Sequence, residues 1–119
     1  MSPIFGNNPA FEIVDVKRNG DIAGYTAWHL PNVALPWARE YSFDEAYKKS
    51  RYDVAALTEL AAAIGSNTAT REQYFGYSSS GSAKTTADAL AAWRGYWCGL
   101  TTMTESAFTA CYCTAAPKP

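Results

Sequence analysis

Ser2-Pro3-Ile4-Phe5-Gly6-Asn7-Asn8-Pro9-Ala10-Phe11 runs straight into Glu12-Ile13-Val14-Asp15-Val16, and the reading of this stretch decides the fold. It has the pattern of a constrained loop that delivers a strand. Pro9 fixes its own φ and pushes Asn8 out of the helical region. Gly6 and the two asparagines tolerate positive φ, so a tight turn is available before the strand. From Phe11 onward the residues suit a strand. Lys17-Arg18-Asn19-Gly20-Asp21 then carries Asn-Gly, a strong hairpin signal, because both central residues of a type I′ turn need positive φ. The return strand is expected over residues 22–30.

The hairpin reads as unfinished. Phe11, Ile13 and Asp15 share one face, Glu12, Val14 and Val16 the other, and Tyr25 and Trp28 point to opposite faces of the return strand. Neither face is cleanly polar, and two strands alone are marginal in water. Cover comes either from helices downstream or from a sheet belonging to something else; the pattern leaves both open.

Downstream, Pro31 and Pro36 bracket Asn32-Val33-Ala34-Leu35 and exclude a long regular element, so residues 31–41 read as a connector anchored on the core by Trp37 and Tyr41. Arg39-Glu40 within it reads as a solvated pair. About five short helices follow. Ser42 is the expected cap of the first, which runs to about Ser50, with Asp44 and Glu45 in the first turn, where the helix dipole favours carboxylates. Asp53 stands as the cap of the second, with Val54, Leu57, Leu60, Ala61 and Ile64 at helical spacing and Gly65 where a C′ glycine belongs. Thr68 or Thr70 starts a third, ending near Tyr77, and Ser78-Ser79-Ser80-Gly81-Ser82 reads as a flexible loop. Thr85 or Thr86 opens a fourth with Leu90, Trp93, Tyr96 and Trp97 on one stripe. Thr104 and Glu105 open a fifth that buries Phe108 and Cys111, and residues 115–119 read as a disordered tail. The expected class is therefore α+β, mainly α: an N-terminal β-hairpin over 1–30, a helical part over 31–114 and the tail.

Composition narrows the function classes. The chain's 119 residues allow one domain with a modest core, and a net charge of −1 gives no broad attraction to nucleic acid or an anionic membrane. Aromatic residues make up 14% of the chain, which fits a small core filled with large side chains; the alternative is an aromatic binding surface. No apolar run approaches the ~20 residues of a membrane-spanning helix. The first residues lack the basic-then-apolar pattern of a signal peptide.

The three cysteines, Cys98, Cys111 and Cys113, allow three pairings. Cys98 ends one expected helix and Cys111 lies one antiparallel helix later. The preferred pair is Cys98–Cys111, because residues two apart on a helix point away from each other; reduced thiols are the alternative. Such a bridge closes a loop worth roughly 3 kcal/mol on chain-entropy grounds. Cys-x-Cys with one distant cysteine and no nearby histidine is poor zinc spacing.

Little else carries chemistry. His29 is the one histidine, and a lone strand histidine reads first as a packed residue; a non-metal site pairing it with Asp15 or Asp21 is the weakest alternative. A dinuclear phosphoesterase centre needs a cluster of Asp, His and Asn side chains, which this composition cannot supply. There is no Gly-rich phosphate loop, nucleophile elbow or His-Glu-x-x-His.

The opening stretch with its Asn8-Pro9-Ala10-Phe11 loop, the hairpin, and then Trp37-Ala38-Arg39-Glu40-Tyr41-Ser42-Phe43 resemble the C-terminal region of the acid sphingomyelinase-like, calcineurin-like metallophosphoesterases. The likeness runs from Ser2 to about Cys113; its opening motif is fairly specific and its helical part looser. In that family an Asn-Pro loop follows the last metal-binding histidines, and a hairpin and a cysteine-closed helical subdomain come after it. The resemblance implies that this chain begins just after the catalytic domain, with the metal ligands upstream of Met1, and is non-catalytic alone. It implies no cofactor in this chain and a zinc or other divalent metal pair in the catalytic domain, which would be its partner. It further implies a lipid or phosphoester substrate reached through the parent hydrolase, a disulfide near the C-terminal end, and a secreted or periplasmic location. Asn7, Asn8 and Phe11 would line the rim of the substrate pocket. The competing reading is a free-standing small binding protein that uses the hairpin edge or an aromatic patch. It requires a hairpin covered from within, whereas an accessory subdomain leaves an apolar hairpin face exposed.

Overall fold

In this computed structural model, which describes residues 6–33 and 36–114, the chain is α+β and mainly α, as the sequence implies. The hairpin forms from β1 (Ala10–Val16) and β2 (Ile22–His29), paired antiparallel from Ala10↔His29 to Val16↔Ile22. Its turn differs from the expected type I′. Only Gly20 takes positive φ (+91°), while Lys17 N–H donates to the Asp21 carbonyl and Gly20 N–H to the Lys17 carbonyl. Asn19 is spared the left-handed conformation because its side chain bonds Asp21 at both ends: it accepts from the Asp21 N–H at 3.2 Å and donates to Asp21 Oδ2 at 2.8 Å.

A third strand, β3 (Ala38–Ser42), pairs with β2 through Thr26↔Ser42, Ala27↔Tyr41, Trp28↔Arg39 and His29↔Ala38, giving the order β1-β2-β3. The sequence reads this segment as connector because five residues after Pro36 are too few for a clear period. The ladder shifts register between Ala27 and Trp28. Glu40 stands between the paired Arg39 and Tyr41, and the two halves of the expected solvated pair part company. Arg39 turns outward to Glu45, with Nη2 2.6 Å from Oε2, and Glu40 turns inward.

Among the described residues six α-helices follow where about five were expected: α1 (Phe43–Tyr47), α2 (Val54–Ser66), α3 (Thr68–Ser78), α4 (Ala83–Ala91), α5 (Trp93–Thr101) and α6 (Glu105–Thr114). The expected fourth helix is broken at Ala92 into α4 and α5. Ser42 stands at the start of α1, but its hydroxyl donates to Asp44 Oδ1 (2.6 Å) instead of accepting from the backbone. Asp53 caps α2 as expected, accepting from Ala56 N–H at 2.9 Å. Helix α3 starts at Thr68, one of the two expected starts, and Asn67 caps it by accepting from Thr70 N–H at 2.9 Å. Gly65 does not end α2. It lies inside the helix, where a Cβ would stand 2.7 Å from Trp97 Cζ2, so the glycine is there to admit the indole. That indole donates to the Ala61 carbonyl at 2.7 Å. Arg71 caps the other end of the junction, donating to the Ile64 and Gly65 carbonyls at 2.9 Å each while its guanidinium lies 3.6 Å over the Trp93 ring.

Aromatic rings fill the small core. Ala27, Tyr41 and Ala46 gather Tyr25, Tyr47 and Tyr77, and Phe43, Leu60 and Ile64 gather Tyr25, Tyr52, Tyr74 and Trp97. The preferred disulfide, Cys98–Cys111, ties α5 to α6, with Cys98 wholly buried and Cys113 a free, exposed thiol. The expected disordered tail, 115–119, lies outside the described residues.

The cover of the hairpin is one-sided. Helix α1 packs on β2 and β3, but every residue of β1 from Phe11 to Val16 is exposed. The exposed apolar side chains include Phe11, Ile13, Val14 and Val16 on β1, Ile22 on β2 and Trp37 just before β3.

Candidate functional site

The loop before β1 is fastened to the turn between α3 and α4. The Gly6 carbonyl accepts from Ser82 Oγ at 2.8 Å and Thr85 Oγ1 at 2.9 Å. That turn ends α3 as a Schellman motif: Ser80 N–H bonds the Tyr77 carbonyl, Gly81 N–H bonds the Gly76 carbonyl, and Ser80 takes φ +52°. Two residues of the stretch expected to be a flexible loop are deeply buried, Ser79 and Ser80 at 2% and 0% exposure, while Gly81 beside them is exposed.

The Ser80 carbonyl is the meeting point. It accepts from Asn8 Nδ2 at 2.8 Å and faces His29 Nδ1 at 3.1 Å. Both neighbours of Nδ1 are acceptors, so the ring carries a proton there and donates to Ser80. The second acceptor is Glu40, whose Oε1 lies 3.6 Å from Nδ1. A Cβ at Gly81 would come within 3.3 Å of His29 Cε1, which keeps that corner tight. Burial raises the Glu40 carboxyl above its ordinary range, and His29 works in the opposite direction. Burial likewise raises the Tyr25, Tyr41, Tyr47 and Tyr74 phenols, so these stay neutral.

Glu40 lies in a cleft of about 220 Å³ on the helix-facing side of the sheet, with Glu12, Phe11, Tyr41 and Tyr77 among its lining residues. It opens beside β1, where the helical cover stops. Tyr41 and Tyr77 stack with ring centroids 3.9 Å apart, and the Tyr41 hydroxyl lies 3.2 Å from that of Tyr25.

The three residues expected at a pocket rim do not share one cleft within this chain. Asn8 is 8% exposed and committed to Ser80. Asn7 lines a separate cleft with Phe75, Thr85 and Tyr96. Phe11 sits on β1, edge-on to Trp37 at 5.1 Å. His29 meets neither of the acids considered with it. Asp21 belongs to the hairpin turn, and Asp15 pairs with Gly24 near the far end of the ladder. Its acid is Glu40, which sequence reasoning left in solvent; the one signal available was the short run after Pro36 that could be a strand. Among the described residues no group of three or more His, Cys, Asp or Glu side chains could hold a metal ion. No helix among the described residues is long and apolar enough to cross a membrane.

Compared with family models and with curated proteins, the chain matches none.

Proposed function

We propose that this chain is an accessory, non-catalytic subdomain of an acid sphingomyelinase-like, metal-dependent phosphoester hydrolase, docking on its catalytic domain through the free edge of β1 and the apolar side chains exposed on both faces of that strand. The observation that carries the reading is the exposure of β1. Phe11, Ile13, Val14 and Val16 all face solvent on an edge strand. A free-standing small protein covers such a strand with its own helices or blunts it with charge. Here the helices cover only the side of β2 and β3. The sequence resemblance of the loop, hairpin and β3 region supplies the kind of partner, a sheet continuing from the metal-binding domain. The partner would contribute the metal pair and the hydrolytic chemistry, while Asn7 and Phe11 would face the junction. The Cys98–Cys111 disulfide suits a secreted or periplasmic parent.

The test is phosphodiesterase activity of the purified chain on a chromogenic diester with added zinc, together with its bound-metal content. The expected result is neither turnover nor bound metal. Turnover that a chelator abolishes overturns the reading. The positive arm adds the chain to a homologous catalytic domain lacking this end; activity should rise with chain concentration, and no rise also overturns it.

A further inference from the structure

The Glu40 side chain is 8% exposed, yet its one polar contact among the described residues is His29 Nδ1 at 3.6 Å, and that N–H is directed to the Ser80 carbonyl. A buried carboxylate with no donor is costly, by several kcal/mol in a dry site. This one is also not sealed off, because it lines the cleft that opens beside β1. A second carboxylate, exposed Glu12, lines the same cleft on β1, and the paired rings of Tyr41 and Tyr77 lie alongside.

We propose that this cleft binds a guanidinium cation, with Glu40 as its buried counter-ion, Glu12 at its solvent end and the Tyr41 and Tyr77 rings as its apolar wall. Two carboxylates give the sign of the ligand's charge. The donors that Glu40 lacks give its hydrogen-bonding character. Two oxygens on one carboxylate match the parallel N–H pair of a guanidinium, and its plane packs on aromatic rings. An ammonium is more strongly hydrated and loses more on entering a half-buried aromatic cleft. Among the described residues no group of three His, Cys, Asp or Glu side chains is placed to hold a metal ion, and the His29 Nδ1 beside Glu40 is committed to the Ser80 carbonyl, so the cleft favours an organic cation. The volume, about 220 Å³, suits a guanidinium on a short alkyl stem. Such a group comes either from a small guanidine or from an arginine side chain of a polypeptide lying along β1. The site stands on this chain's own residues and does not depend on the accessory reading.

The test is a titration of butylguanidinium into the intact chain, followed by NMR shifts at Ala27, Tyr41 and Tyr77, with butylammonium and n-butanol as controls. Saturable binding with a millimolar Kd is expected for the guanidinium, weaker binding for the ammonium and none for the alcohol. Glu40→Gln keeps the shape and removes the charge; it should weaken binding by about tenfold, as loss of a charge-assisted pair does. Glu12→Gln, at an exposed position that folding tolerates, should weaken it about twofold to threefold, the scale of an exposed ion pair. Equal affinity in both variants, or equal shifts with n-butanol, overturns the proposal. If Glu40→Gln does not fold, unchanged affinity in Glu12→Gln alone overturns it. Acetyl-Val-Arg-Val-amide identifies the source: tighter binding than butylguanidinium assigns the cation to a strand-forming polypeptide, and equal binding assigns it to a small guanidine.

Discussion

The exposure of β1 predicts an unusual pattern for the double variant Ile13→Thr/Val16→Thr. Both substitutions keep a β-branched side chain, so strand preference is retained and mainly apolar surface is lost. Ile13 and Val16 are 53% and 64% exposed in the chain alone. Surface changes of this kind move stability by no more than about 0.5 kcal/mol each. Leu60→Ala, in the core formed with Phe43 and Ile64, should instead cost about 2–5 kcal/mol. The proposed docking would reverse the ranking. Fully burying a Val or Ile side chain is worth about 1.5–3 kcal/mol, and roughly half of that remains to be gained at these two positions. The double variant should therefore lose about 2 kcal/mol of docking free energy, roughly thirtyfold in the docking constant. Urea unfolding of the isolated chain measures the first quantity. The concentration of chain needed to restore half-maximal activity to a homologous catalytic domain lacking this end measures the second. A stability loss above about 1.5 kcal/mol in the isolated variant refutes the reasoning, because it means that the chain itself covers these side chains. An unchanged half-maximal concentration refutes docking through this strand.

Four further outcomes follow from particular contacts. Gly65→Ala puts a methyl 2.7 Å from Trp97 Cζ2 and should lower stability in urea by about 2 kcal/mol, although alanine is the better helix former. Lys48→Gly relieves a left-handed residue at φ 54° that ends α1, and should raise stability by about 0.5–1 kcal/mol in the same assay. Replacing Cys98 and Cys111 together by alanine should cost about 3 kcal/mol and bring the chain to the stability of the wild type under reducing conditions. Because burial raises the Glu40 carboxyl in the folded state, the folded chain holds that proton to higher pH than the unfolded one. Its contribution to stability is greatest below the ordinary glutamate range near 4.5 and falls as pH rises through the folded-state value. Glu40→Gln should flatten that decline in thermal melts and raise Tm at pH 7.

Those parts of the fold whose signal is local were legible in the sequence. Asp53 ahead of an apolar helical period gives α2 its start, and Asn19-Gly20 gives the hairpin although it forms a different turn. What was illegible depends on partners distant in the chain. Gly65 has the look of a helix end because glycine commonly follows one, and only the approach of Trp97, thirty-two positions later, shows why it lies inside α2. The serine run has the composition of a mobile loop. Its Ser79 and Ser80 are buried, with Asn8 and His29 both converging on the Ser80 carbonyl, and no local pattern encodes that. Residues 38–42 carry too short a run to declare a strand, and β2 supplies the pairing that makes them one.

The candidate site shows the same division more sharply. Arg39 and Glu40 are adjacent and opposite in charge, so a local reading pairs them in solvent. The register shift in β3 separates them: Arg39 finds Glu45 three residues into α1, and Glu40 is carried to the far side of the sheet beside His29. A fold that needed only stability would gain by placing an apolar residue at Glu40, since the carboxylate meets no close donor there. Its position in a cleft that opens beside the one uncovered strand, with Glu12 on that strand, ties the unfinished edge and the unfinished ion pair to a single region. Ala10, Phe11 and Glu12 of β1 line the Glu40 cleft, so on the proposed docking a ligand that neutralises Glu40 should alter binding at β1. Butylguanidinium should therefore shift the half-maximal concentration of chain in the restoration assay for the wild type and leave Glu40→Gln unmoved; equal effects on both would separate the two features.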